Sequence, residues 1–271
     1  MSNEDSDTTQ ASGFKKEKAG MSSVNKALLS VVRIETYKSE TGITQNALLA
    51  RATGFLYENS NKQLFLVTNK HVIYERKKAY FPDFLLAYVR SKALSKTQPI
   101  RIELYANKDR RFKMSSDKRI DIAALSLDFQ DLPHGMVAMP ISCKDILPKG
   151  YYFALGSQAL VLGFPKGAFY DEFSNFPIAR ISTIATLPWL AFNKIPCFLI
   201  DAKLQDGMSG SPVVSMPRAI YEKNGKPIYN DVRCYLIGIF SSEWLWDSGP
   251  FREPLGLNTV WSADLIEETT L

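Results

Sequence analysis

The apolar residues of this chain come in short runs separated by turn chemistry. Leu28-Leu29-Ser30-Val31-Val32-Arg33-Ile34 reads as a first strand, and Ala52-Thr53-Gly54-Phe55-Leu56-Tyr57 as a second. Gln63-Leu64-Phe65-Leu66-Val67-Thr68 reads as a third, pairing back across the turn Glu58-Asn59-Ser60-Asn61-Lys62. Phe84 to Val89, Ile100 to Leu104 and Asp121 to Leu127 continue the series. After a connection over Pro133 to Pro148, strands are predicted over Ala159 to Pro165, Pro177 to Ala185, Cys197 to Ile200, Pro212 to Val214, Tyr235 to Phe240 and Asn258 to Trp261. Asn224-Gly225 is a hairpin turn signal. Ser262 is placed to cap a short helix running through Glu268.

Many short strands and almost no long helix predict an all-β protein, a sandwich or a pair of barrels. No internal repeat is visible. Residues 1–23 lack periodic apolar positions and read as a disordered tail. Asp131 to Gly150 is the expected boundary between halves. The expected domains are therefore 24–140 and 141–271.

Composition narrows the class without naming a function. Apolar residues make up 45% and charged residues 23%, which places the chain among ordinary globular proteins. No apolar run approaches the roughly 20 residues needed to span a membrane. The first twenty residues contain no apolar core, so we read no signal peptide. Cys143, Cys197 and Cys234 are odd in number and lack metal spacing, which points to a reduced, cytoplasmic setting and to no metal or other cofactor.

The net charge of +5 is uneven. Lys70 to Arg119 holds fourteen Lys/Arg against five Asp/Glu, whereas the remainder is net acidic. This segment is either a solvated basic face or a dock for an acidic partner, such as a regulatory protein, or for nucleic acid. No nucleic-acid-binding motif accompanies it.

The sharpest local chemistry is Gly207-Met208-Ser209-Gly210-Ser211-Pro212. A serine between glycines suits a tight turn that lifts a hydroxyl and aims neighbouring N–H groups at one point. Taken alone, it is more often a plain turn before a strand. A serine hydroxyl needs a base, and the base needs a carboxylate to hold its tautomer. Asn69-Lys70-His71-Val72 at the end of the third strand offers the base. Asp121 at the mouth of Asp121-Ile122-Ala123-Ala124-Leu125 offers the carboxylate. His134 sits in a loop with no motif around it. Asp117 lacks the apolar context of Asp121, and Ser211 is the rival nucleophile.

These blocks together resemble the trypsin-like serine peptidases, most closely their compact bacterial members without disulfides. The likeness rests on Thr53-Gly54-Phe55 with Leu66-Val67-Thr68-Asn69-Lys70-His71-Val72, on Asp121-Ile122-Ala123-Ala124-Leu125, and on Leu162-Gly163-Phe164-Pro165. It also rests on Asp201-Ala202 through Val213 and on Ile237-Gly238-Ile239. The order His, Asp, Ser is that of the chymotrypsin arrangement. The resemblance implies two six-stranded antiparallel β-barrels with a short C-terminal helix. It implies Ser209 as nucleophile, His71 as general base and acid, Asp121 as its orienter, and the Gly207 and Ser209 N–H groups as oxyanion hole.

Two departures stand out. Ser211 occupies a position that the family gives to glycine. Met208 stands where digestive relatives carry an aspartate that pairs with a new N-terminus. The family pattern also puts Lys203 at the base of the substrate pocket, with Ser241, Ser242 and Glu243 along one wall. Lys203 is then an unpaired cation selecting acidic residues, or is neutralised by Glu243, or points to solvent. Trp244 and Trp246 read as pocket rim or as core. The resulting expectation is a serine endopeptidase acting on protein or peptide through an acyl-enzyme, with a regulatory partner. The alternative is a catalytically silent scaffold that binds protein.

Overall fold

The computed structural model describes residues 23–39, 47–91, 97–107, 109–128, 130, 132–136, 139–167, 175–217, 220–223, 226–229, 233–248 and 251–271. Helix α1 (Ser23–Ser30) leads into β1 (Val31–Lys38), β2 (Ala47–Glu58) and β3 (Leu64–Thr68). The one-turn helix α2 (Lys70–Ile73) follows, then β4 (Phe84–Arg90), β5 (Thr97–Glu103), β6 (Tyr105–Ala106), β7 (Asp109–Arg110), β8 (Phe112–Met114) and β9 (Ala123–Leu127). The second half comprises β10 (Ile141–Ser142), β11 (Tyr152–Phe153), β12 (Gln158–Gly163), β13 (Ile178–Ile184), β14 (Cys197–Asp201), β15 (Pro212–Ser215), β16 (Ile220–Lys223), β17 (Lys226–Tyr229), β18 (Leu236–Ser248), β19 (Phe251–Ser262) and helix α3 (Asp264–Thr270).

The fold is all-β and chymotrypsin-like, built as two β units. In the second, β12-β13-β14-β19-β18-β15 close into a six-stranded barrel. The first is a curled sheet in the order β5-β4-β1-β2-β3-β9-β8, with β10 added parallel to β2. Two closed six-stranded barrels were expected. The first unit differs because β5 and β8 remain edge strands and do not pair with each other among the described residues.

Three apolar clusters explain the sequence pattern. Leu64 and Leu66 of β3 face the interior of the first sheet, together with Ile34, Leu85 and Leu125. Phe65 and Val67 face the opposite way, into a cluster with Leu162, Phe164, Val214 and Trp261 of the second unit. β3 is thus buried on both faces, which is why it reads as a continuous apolar run rather than an alternation. Val161 and Val213 point into the barrel interior with Phe198 and Val260, while their neighbours Leu160 and Val214 join the shared cluster. Burying both faces of these strands locks the two units together.

Several local expectations change. Leu28-Leu29-Ser30 belongs to α1, not to the first strand; Ala27 and Leu29 are its buried face, and the Ser30 hydroxyl bonds back to the Ala27 carbonyl at 2.6 Å. Helix α3 is preceded by Ala263 with no side-chain cap, so Ser262 does not cap it. Its packing holds it instead: Leu265 and Ile266 are buried, and Glu267 accepts from the Tyr57 hydroxyl and, at 2.9 Å, from the Ser60 N–H. Residues 1–22, and the expected Asn224-Gly225 turn between β16 and β17, lie outside the described residues. The flanking strands pair antiparallel, with Lys223 opposite Lys226.

Candidate active site

The end of β3 and the approach to β9 are stitched together by polar side chains. Asn69 makes no cap bond to helix α2; its Nδ2 donates to the Asp121 carbonyl at 2.8 Å. Lys70 Nζ donates to the carbonyls of Lys118 at 2.8 Å and Ile120 at 3.0 Å. These bonds fix one short turn against one strand entry and bring His71 onto Asp121. The Asp121 Oδ1 accepts the His71 backbone N–H at 2.9 Å, and Oδ2 lies 2.6 Å from His71 Nδ1.

Asp121 keeps only 16% of its side chain exposed. Burial by itself would push its carboxyl up. The His71 imidazole, its charge, the Ser241 hydroxyl and the His71 N–H outweigh burial and hold the carboxyl below the ordinary value. An ionised carboxylate only accepts hydrogen bonds, so Nδ1 is the ring nitrogen that donates to Asp121, and in a neutral imidazole the lone pair is then on Nε2.

Ser209 lies in a turn that the first sheet holds in place. The Ser209 carbonyl accepts from Thr53 N at 3.0 Å, and the Gly207 carbonyl accepts from Thr53 Oγ1 at 2.8 Å. Thr53 Oγ1 in turn accepts from Phe164 N at 3.0 Å. Gly207 and Gly210 both have φ of 89°. At Gly210 a Cβ would fall 2.1 Å from the Thr53 carbonyl oxygen, so only glycine fits. The N–H groups of Met208, Gly210 and Ser211 bond to Gln205, Phe240 and Met208 carbonyls respectively. Among the described residues, the N–H groups of Gly207 and Ser209 have no such partner. Both N–H groups belong to the same turn as the Ser209 hydroxyl.

Ser209 Oγ donates to the Ser241 carbonyl at 3.0 Å. Ser241 Oγ donates to Asp121 Oδ2 at 2.6 Å. Ser241 therefore joins the serine turn to the Asp121–His71 pair. It was expected as a pocket wall. It is buried, and its hydroxyl is committed to Asp121, because β18 carries it past the Ser209 turn.

The remaining candidates separate clearly. Asp117 is tied to Arg119 at 2.6 Å, and His134 is exposed. Ser211 is fully buried, so its hydroxyl is closed to substrate. Of the three arrangements open for Lys203, the residue is exposed and forms no ion pair with Glu243 among the described residues. The Glu243 carboxylate instead accepts from Gly256 N at 3.2 Å, and Ser242 is exposed. Trp244 is half-buried, donating to Thr259 Oγ1 at 2.8 Å, whereas Trp246 is exposed.

Met208 is fully buried in the second barrel's core with Val213 and Ile237. Thr53 is the residue whose importance sequence reasoning missed. It stands in the Thr53-Gly54-Phe55 segment that carries the family likeness, but its bonds to Gly207 and Phe164 come only from the packing of the two units. Cys143, Cys197 and Cys234 are all free thiols, and no helix among the described residues is long and apolar enough to cross a membrane.

A family model described as a trypsin-like peptidase domain matches residues 52–218. The match takes in Thr53, His71, Asp121 and Ser209 and stops before Ser241. No curated protein matches the chain.

Proposed function

The chain belongs to the trypsin-like peptidase domain family, and on that premise we propose that it is a serine endopeptidase cleaving polypeptides through an acyl-enzyme on Ser209. The observation that carries the reading is the Asp121–His71 contact at 2.6 Å, which supports Nε2 of the neutral imidazole as the base. In this reading His71 Nε2 takes the Ser209 proton as Oγ attacks the scissile carbonyl. Asp121 stabilises the imidazolium that forms. The free N–H groups of Gly207 and Ser209 hold the developing oxyanion, a contribution of about 100- to 1000-fold per donor. His71 then passes the proton to the leaving amine, and water repeats the sequence to release the acid.

The test is labelling by a fluorophosphonate probe. Wild-type protein should be labelled on Ser209, and Ser209→Ala should not. Full labelling or proteolysis by Ser209→Ala would sink the assignment. One observation favours a second reading, the silent binding scaffold: the Ser209 hydroxyl is donated to the Ser241 carbonyl and must rotate before it can meet His71. Absence of labelling in folded wild-type protein would select that reading.

We also place the protein in a reducing, cytoplasmic compartment, which the three free thiols support. Restraint there would come from an acidic partner on the basic segment 70–119. Much of that segment's charge is already engaged. Lys113 caps carbonyls at Thr270 and Leu271, Arg101 pairs with Glu103, and Arg119 with Asp117. The exposed turn carrying Arg76 and Lys78 is the part best suited to a partner.

A further inference from the structure

A cleft of about 530 Å³ opens on the second unit, and none of the residues described around Ser209 lines it. Its walls are the connection 146–151, the start of β18, the start of α3 and the turn 188–191. That turn is fixed locally. Proline suits the second position of a β-turn, and the Leu190 N–H closes the turn on the Leu187 carbonyl at 3.1 Å. Trp189 and Leu190 are thereby held at the rim, 46% and 62% exposed. Tyr152 of β11 leans on Trp189 with ring centroids 4.7 Å apart and is itself 38% exposed. Single exposed apolar residues are ordinary; several around a cleft of this size mark a binding surface.

The rim is charged as well. Asp264 and Glu268 stand one turn apart on α3, both exposed, and neither forms an ion pair among the described residues. Lys149 also lines the cleft, which leaves its rim net acidic. The described chain starts close by. Lys26 of α1 pairs with Asp145 at 2.8 Å, and the next residue, Ile146, is a cleft wall bridged to Leu236. Upstream of α1 the sequence reads Ser12-Gly13-Phe14-Lys15-Lys16-Glu17-Lys18. Phe14 is the only aromatic residue of positions 1–22, and three lysines follow it within four positions. It lies nine positions before Ser23, and an extended chain of that length reaches up to about 30 Å.

We propose that residues 12–18 of the same chain dock in this cleft, with the Phe14 ring against Trp189, Tyr152 and Leu190 and the lysines facing Asp264 and Glu268. Two independent features select this occupant. The connection from Ser23 is long enough to reach the cleft and short enough to hold the segment near it at high local concentration. The segment's charge, three lysines against Glu17, is opposite to that of the rim. A polar run with a single aromatic anchor gains by removing that ring from water, and it needs no core of its own to do so. Because the cleft shares no residue with the Ser209 site, docking leaves turnover of small peptides unchanged. It keeps the cleft closed to other apolar chains until the segment is displaced.

The test places the photo-crosslinker benzoylphenylalanine at position 14 of the full-length chain and maps the crosslinked peptides by mass spectrometry. Crosslinks should fall within residues 148–153 or 187–191 and within a monomer. Asp264→Lys combined with Glu268→Lys, both at exposed positions, should cut the crosslinking yield severalfold. Adding Lys15→Glu, Lys16→Glu and Lys18→Glu to that chain should restore it. Hydrogen exchange reads the same contact without a label. Phe14→Ala should speed exchange about tenfold in those two segments, the effect expected from losing one large buried apolar side chain. The barrel strands β12 and β13 should exchange as before. Crosslinks scattered over other surfaces, or found only in a covalent dimer, overturn the proposal. Unchanged exchange in Phe14→Ala, or a charge reversal without effect on the yield, overturns it too.

Discussion

Ser241 and Asp121 stand 120 positions apart in sequence, yet the Ser241 hydroxyl donates to Asp121 Oδ2 at 2.6 Å, the same oxygen that faces His71 Nδ1. A buried carboxylate with several donors stays ionised where a bare one would not. Ser241→Ala removes one donor. A hydrogen bond to a charged group contributes about 1.5–3 kcal/mol, so kcat/KM should fall roughly tenfold with the fold retained. A variant with unchanged kinetics would show the hydroxyl to be incidental.

The same carboxylate predicts an acid limb. Its value is lower in the folded state than in the unfolded chain. A group shifted this way stabilises the fold above its unfolded value of about 3.9, and the contribution is lost as pH falls through the folded value. Wild-type stability should therefore drop below about pH 4. Asp121→Asn should flatten that limb, as denaturant melts at stepped pH would show, while removing activity at every pH.

Thr53 holds the Ser209 turn through Gly207 and satisfies the Phe164 N–H. Thr53→Val keeps the shape and deletes both bonds. Losing the two buried bonds should cost about 1–3 kcal/mol, read as a lowered Tm. Activity should fall further than stability explains, because the turn bearing the Gly207 and Ser209 donors loosens. Thr53→Ser should restore both properties. A Thr53→Val protein with normal Tm and rate would contradict this account.

Met208 fills the core at the position where digestive relatives carry an ion-pairing acid. With no carboxylate there, a new N-terminus has nothing to pair with. Removing residues 1–22 should leave both folding and peptide turnover unchanged. Met208→Asp should destabilise the protein strongly, since it buries an unpaired charge. A rise in activity that depends on the identity of the new first residue would refute the argument.

Charge reversal at Arg76, Lys77 and Lys78 should leave small-peptide cleavage intact. If this turn docks an acidic protein, association should weaken steeply with added salt and weaken again in the reversed variant. Salt-independent association would return the segment to a solvated face.

The sequence determined what depends on local chemistry. The turn at Gly207 to Gly210 was legible because a left-handed backbone demands glycine, and Leu64 to Val67 because a strand buried on both faces is apolar on both. The order of the His71, Asp121 and Ser209 blocks was readable for the same reason, since each block is contiguous. What spans the chain was decided only by tertiary structure. Thr53 meets Gly207 across 154 positions, and Ser209 meets Ser241 across 32. Those bonds arise from how two units pack, and no local pattern marks a threonine or serine for them. Leu28-Leu29-Ser30 shows the limit at short range: its apolar pair fits strand or helix alike, and burial of Ala27 and Leu29 against the sheets chose the helix. Whether a barrel closes, which edge of β18 stays open and where Lys203 points follow from strand register in space, which the sequence of hydrophobic and polar positions does not encode.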